Sequence, residues 1–150
     1  MEREIPTSLL MFVSYRAAED RIFAAVTAAG LPGITRAQAR LIAGIDVDGT
    51  RLVVLAERAR IAKQTANALV NALEEAGYVE RVPDPTDGRA RLVRLTASGR
   101  AGLPHAHAEE ARIEAEWETR LGRRRMQALR SALWELALLS DPQLEPPTQG

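Results

Sequence analysis

Apolar residues recur at helical spacing over most of this chain, and one stretch past its middle alternates instead. From Thr7 or Ser8 to about Ala29 the pattern predicts a helix, ended by Gly30 with Pro32-Gly33 beyond it. Its opening run, Leu9-Leu10-Met11-Phe12-Val13, is apolar nearly all round, more than one face of a small monomer needs. Thr35-Arg36-Ala37-Gln38 spells a capping box, because the threonine hydroxyl and the glutamine amide can each satisfy an orphan backbone donor. A second helix is therefore expected from Arg36 to about Ile45, stopping near Asp48-Gly49. Leu52 to Ala59 reads as a short third helix, and Arg60-Ile61-Ala62 as a tight connection. A longer helix follows from about Lys63 to Ala76, its apolar positions Ala66, Leu69, Val70, Leu73 and Ala76 at helical spacing. Gly77 stands just past its end, where a left-handed cap belongs.

The alternating stretch is Tyr78 to Val82 and Arg91 to Leu95, β-branched, apolar and basic, around Asp84-Pro85-Thr86-Asp87-Gly88-Arg89. It predicts a two-stranded hairpin. Pro85 presets one turn dihedral, Gly88 can accept a positive one, and Asp84 and Asp87 can bond their own backbone. Thr96-Ala97-Ser98-Gly99 then caps a long helical stretch with a break near Gly122, and a last helix spans about Arg123 to Leu139. Met126, Leu129, Leu133 and Leu136 form an apolar stripe along it. The tail, residues 141–150, is expected to be disordered.

Composition narrows the possibilities. The chain has 150 residues, enough for one domain, with 46% apolar and 4% aromatic residues. It has no cysteine, which excludes disulfides, thiolate metal sites and thiol switching within it. No signal-peptide pattern and no membrane-length apolar run are present, so a soluble cytoplasmic protein is expected. The net charge is zero, but it is unevenly distributed. Residues 51–100 carry nine basic against six acidic groups, while both flanks are slightly acidic. A surface for a polyanion therefore belongs in the middle section.

Short helix, tight turn, longer helix led by polar residues is a helix-turn-helix, and a basic hairpin after it makes a winged helix. Leu55-Ala56-Glu57-Arg58, Glu74-Glu75-Ala76-Gly77-Tyr78-Val79-Glu80-Arg81, the Asp-Pro-x-Asp-x-Arg run at 84–89 and Leu95-Thr96-Ala97-Ser98-Gly99-Arg100 closely resemble the MarR family of bacterial transcription regulators. The likeness covers roughly residues 35–101. It implies a mainly α fold with a small β-hairpin: a winged helix-turn-helix at 35–100, and a dimerisation domain from the terminal helices at 7–30 and 101–140. The surplus apolar side chains Leu9, Leu10, Phe12, Val13, Leu129, Leu133 and Leu136 suit that interface.

The implied partners are double-stranded DNA and a second copy of the chain, in a ligand-responsive repressor binding a pseudo-palindromic operator. In the major groove, Gln64 and Asn67 suit adenine edges, while Lys63, Thr65 and Arg58 suit phosphates. In the wing, Arg89 suits a narrow minor groove, and Asp87 can hold its guanidinium in a two-point pair. Arg91 and Arg94 suit phosphates, or brace the hairpin. Thr86 and Gly88 stand where the family is often basic, Ala62 where a hydroxyl often caps, and Ala68 where arginine is common, so DNA affinity is expected to be modest. The alternative is a winged-helix interaction module whose DNA binding is weak or lost.

By family analogy alone, a small aromatic or anionic effector is expected near Tyr15, Arg16 and Arg40. No cofactor or metal is expected. His105 and His107 are two positions apart, so on a helix they point to nearly opposite sides, and no other histidine exists. No nucleophile–base pair or phosphate loop nominates an enzyme. Trp117 and Trp134 are read as core or interface residues, and Arg123-Arg124-Arg125 as a solvated run.

Overall fold

The Thr35 hydroxyl accepts from the Gln38 backbone N–H at 3.2 Å, and the Gln38 side chain accepts from the Thr35 N–H at 2.8 Å. This reciprocal cap starts a helix where the four-residue signal places it. In the computed structural model, which describes residues 4–142 and 144, that helix is the second of seven. They are α1 (Thr7–Ala29), α2 (Arg36–Ala43), α3 (Leu52–Ala59), α4 (Lys63–Glu75), α5 (Ala97–Arg100), α6 (Leu103–Leu121) and α7 (Arg123–Ser140). Three strands complete the described elements: β1 (Thr50–Arg51), β2 (Val79–Asp84) and β3 (Asp87–Leu95). The fold is mainly helical with a winged helix at its centre. Of the tail expected to be disordered, only Asp141, Pro142 and Leu144 are described, and its other residues lie outside the described ones.

Several boundaries follow from local chemistry. Gly77 takes φ +79°, the left-handed geometry that lets α4 stop at Glu75 with Ala76 as its cap. Gly122, at φ +81°, separates α6 from α7. α2 is shorter than its apolar pattern predicts, ending at Ala43. Ile45 is drawn into the core, and the Asp46 N–H is taken by the Thr50 hydroxyl at 2.8 Å.

The expected two-stranded hairpin is present as β2 and β3, and a short third strand joins it. Thr50 and Arg51 pair with Val93 and Leu92, giving three strands in the order β1-β3-β2. The hairpin strands also run further toward the tip, with Asp84 opposite Asp87 and only Pro85-Thr86 between them. Gly88 thus lies in β3 and takes no positive φ. A register irregularity at Pro83/Asp84 follows from proline, which cannot donate to the ladder.

The chain divides into two compact units, Met1–Glu110 and Ala111–Gly150. The first holds a continuous core in which Leu31, Leu41, Leu55, Val70, Leu73, Val79 and Val93 are almost wholly buried. Each of α2, α3, α4 and the sheet contributes to it, which fixes α4 against the hairpin. In the second unit, Ile113 and Met126 are buried, and the Arg130 guanidinium donates to Glu114 at 2.8 Å. Among the described residues no helix is long and apolar enough to cross a membrane.

Candidate nucleic-acid interface

α4 is a two-faced helix. Ala66, Val70 and Leu73 are fully buried, so Lys63, Gln64, Thr65, Asn67, Ala68 and Asn71 are left exposed. The turn before it is made by Arg60, whose φ of 52° and ψ of 46° put a residue other than glycine in the left-handed region. Its backbone N–H closes α3 on the carbonyls of Ala56 and Glu57. Ala62, at the N-cap of α4, offers no side-chain cap. The leading turn of α4 therefore keeps unsatisfied N–H groups and a lysine on its open side.

The wing is tied down on both sides. Arg51 of β1 reaches Asp84 at the wing tip, with Nε at 2.8 Å and Nη2 at 2.7 Å from Oδ2. The other oxygen of Asp84 accepts from the Thr86 N–H at 2.8 Å and the Thr86 hydroxyl at 2.7 Å. These two Thr86 bonds, backbone first, and then Arg51 hold the Asp84 carboxyl down to about 2. On the neighbouring strand pair, Arg94 donates to Glu80 directly opposite it, at 3.0 Å from Nε and 2.6 Å from Nη2. Arg91 donates across the hairpin to the Arg81 carbonyl at 3.1 Å.

A third attachment joins the wing to α4. Arg81 of β2 donates to Glu74 at 2.8 Å, to the Asn71 side-chain oxygen at 2.9 Å and to the Asn67 side-chain oxygen at 3.1 Å. Sequence reasoning missed this arginine, along with Arg51. Both act on partners placed by the tertiary fold, so no local spacing signals them.

The sites expected from sequence are partly brought together. Lys63, Gln64, Thr65 and Asn67 share the open face of α4. Arg58 is used elsewhere: it donates to the Gly44 carbonyl at 2.6 Å and to Asp46 at 3.0 Å, closing the loop after α2. Asp87 does not pair with the Arg89 guanidinium. One of its oxygens accepts from the Arg89 backbone N–H at 3.0 Å, and the other lies 3.9 Å from Arg51. An aspartate at a turn captures the amide two residues on more readily than a long side chain, which explains the difference. The Arg89 guanidinium is exposed and has no partner among the described residues. Six of the nine basic residues in 51–100 are thus engaged within the lobe: Arg51, Arg58, Arg81, Arg91, Arg94, and Arg100 through the Leu95 carbonyl. Among the described residues Arg60, Lys63 and Arg89 have no partner, at the turn, the leading end of α4 and the wing.

This arrangement is matched by a family model, described as the MarR family, over residues 33–90. The winged helix-turn-helix lobe is thus similar to that of the MarR family. Over 70 residues the sequence is 39% identical to the transcriptional regulator HosA of Escherichia coli O111:H-, an alignment that takes in 46% of this chain and 52% of HosA. The chain thus spans about half the length of that curated relative. Two solved structures share the fold. Wild-type MarR from E. coli in its apo form has a TM-score of 0.68 at 22% identity, covering 89% of this chain and 98% of that one. NadR in complex with 4-hydroxyphenylacetate has a TM-score of 0.70 at 24% identity, covering 91% and 96%.

Tyr15, Arg16 and Arg40 meet at a residue that sequence reasoning did not name, Glu19. Both Nε and Nη2 of Arg40 donate to its carboxylate, the latter at 2.8 Å. The Tyr15 hydroxyl lies 3.3 Å away and the Arg16 Nε 3.8 Å. The Arg40 hydrogen bonds hold Glu19 below the usual carboxylate range. A second pair beside it joins Arg36 to Asp20, and the Arg36 guanidinium lies 4.7 Å over the Phe23 ring.

Proposed function

We propose that this chain is a DNA-binding transcriptional regulator of the MarR type, a ligand-responsive repressor that engages a pseudo-palindromic operator as a homodimer. The observation carrying the reading is the distribution of free cations. The lobe pairs most of its arginines internally and leaves Arg60, Lys63 and Arg89 without a partner among the described residues, where a recognition helix and a wing would meet a duplex. Gln64, Thr65 and Asn67 then face the major groove, and Arg89 enters the minor groove. Arg58, Arg91 and Asp87 support the contact surface from behind it.

The dimer reading rests on the opening of α1, where Phe12 is 53% and Val13 59% exposed, with Leu9 and Leu10 similar. On α7, Leu129 and Leu136 are also exposed, and Leu133 is half-buried. Apolar side chains so exposed on a single chain are satisfied by a second copy. The domain assignment follows: 35–100 for DNA, with 7–30 and 101–140 for dimerisation.

The effector reading rests on the cluster of Tyr15, Arg16 and Arg40 around Glu19. NadR is a structural relative complexed with 4-hydroxyphenylacetate. A small aromatic acid of that kind could take the place of Glu19 on Arg40, and it would act only through unequal affinity for the DNA-competent and DNA-incompetent states.

The test is a fluorescence-anisotropy titration of duplexes from upstream of the chain's own gene, at several salt concentrations and with and without phenolic acids. Binding that weakens steeply with salt is the expected result. No binding at low salt favours the interaction-module alternative and overturns the regulator reading.

A further inference from the structure

We infer that Arg81, a wing residue, sets the base preference of the recognition helix by fixing which way the Asn67 amide faces. The inference rests on the DNA-binding reading above. Its basis is the alignment of three acceptors, Asn67, Asn71 and Glu74, along one side of α4 under one guanidinium. Positions 67, 71 and 74 are four and three apart, so they form a continuous row on the helix surface.

An arginine has five donors and no acceptor. Each asparagine amide beside it must therefore present oxygen. The reversed amide would set N–H groups against N–H groups. The orientation is thus dictated by chemistry, and the Asn67 Nδ2 is turned away from Arg81. It has no partner among the described residues. Glu74 alone would satisfy the charge of Arg81, so the two amide contacts add orientation beyond the ion pair.

An unrestrained asparagine reads adenine with both ends of its amide, accepting from N6 and donating to N7. Here the accepting end is occupied by Arg81. Asn67 offers donors to the groove, which fit the two acceptors of guanine, N7 and O6, and meet a donor on cytosine. Gln64, one turn earlier and with no partner for either end of its amide among the described residues, retains the adenine pattern. The adenine role expected for both residues is thereby divided. Gln64 keeps it, and Asn67 becomes a guanine reader positioned by the wing.

The experiment is anisotropy on full-length protein with an operator carrying each of the four bases in turn at every half-site position. Wild type is expected to show one position per half-site where guanine is best and cytosine worst, by about tenfold or more. Asn67→Asp keeps oxygens toward Arg81 and removes the donors, so preference there moves to cytosine, whose N4 donates to a carboxylate. Arg81→Lys keeps the charge without the fork. Guanine and adenine then bind within about twofold at that position, while the preference read by Gln64 elsewhere is unchanged. In an Asn67→Ala background, Arg81→Lys changes the base profile no further.

Arg81→Lys that weakens all four bases equally makes Arg81 a brace and overturns the inference. If that variant fails to fold, an Asn67→Asp protein with the wild-type base profile overturns it equally. A wild type that binds no duplex at low salt instead overturns the DNA reading, and this inference with it.

Discussion

Arg51 and Asp84 lie 33 residues apart in sequence and join the two-residue strand β1 to the wing tip through contacts of 2.7 and 2.8 Å. The Asp84 carboxyl is buried, and both its oxygens are used. The tip is thus built around a carboxylate that must remain ionised.

That requirement makes stability depend on acid in a defined window. Asp84 is held down to about 2 in the folded chain, against an ordinary aspartate value of 3.8. A depressed folded value means that its contribution is complete above the unfolded value and is lost as the pH falls toward the folded one. Stability is expected to drop between about pH 4 and pH 2 in a way that Asp84→Asn flattens, while the variant starts from a lower Tm at pH 7. Thermal melts across that range, wild type against variant, provide the check. Parallel curves would mean that Asp84 is not the titrating group.

Arg60 holds a left-handed backbone that a Cβ disfavours. Arg60→Gly is expected to stabilise the fold by about 1 kcal/mol, raising Tm by roughly 2–4 °C. It also removes a free cation from the proposed DNA face, so affinity should fall as stability rises. Differential scanning calorimetry beside anisotropy measures both, and a drop in Tm would contradict the strain argument.

Gly99 has no room for a side chain, because a Cβ there would stand 2.0 Å from the Tyr78 carbonyl oxygen. Thr96 holds this corner by accepting from the Gly99 N–H at 3.1 Å and donating to the Gly77 carbonyl at 2.5 Å. Gly99→Ala must push the start of α5 off the wing, at a cost of about 3 kcal/mol or more. Urea denaturation is the measurement. A midpoint within error of wild type would show that the corner has slack.

Arg89→Ala should lower affinity about tenfold on every operator tested and reduce the salt slope by about one per subunit, leaving the proposed dimer intact. Sedimentation equilibrium run beside the DNA titration separates the two effects. Unchanged affinity would remove the wing from the proposed interface.

Those residues also mark what was legible in the sequence. Local chemistry was readable because its partners are three or four residues away. The Thr35–Gln38 cap, the Gly77 stop and the Gly122 break all lie where their residue types require. β1 was not readable, since two residues carry no period and Thr50 and Arg51 are ordered by partners in β3. Gly88 misled because a glycine near a turn invites a positive φ, whereas a two-residue tip at Pro85-Thr86 places it in a strand. Arg81 was one basic residue among nine in the middle section, and its importance appears only when the hairpin is laid along α4. The same placement separates the engaged arginines from Arg60, Lys63 and Arg89, which charge counting treats alike.

The mooring of the wing to β1 on one side and to α4 on the other limits how the proposed regulator could let go of DNA. A hairpin pinned twice cannot retract like a flap while its helix stays seated. Docking and departure would then happen to the wing and helix as one rigid stamp, so control would act on where two stamps stand apart from each other and leave the shape of each unaltered.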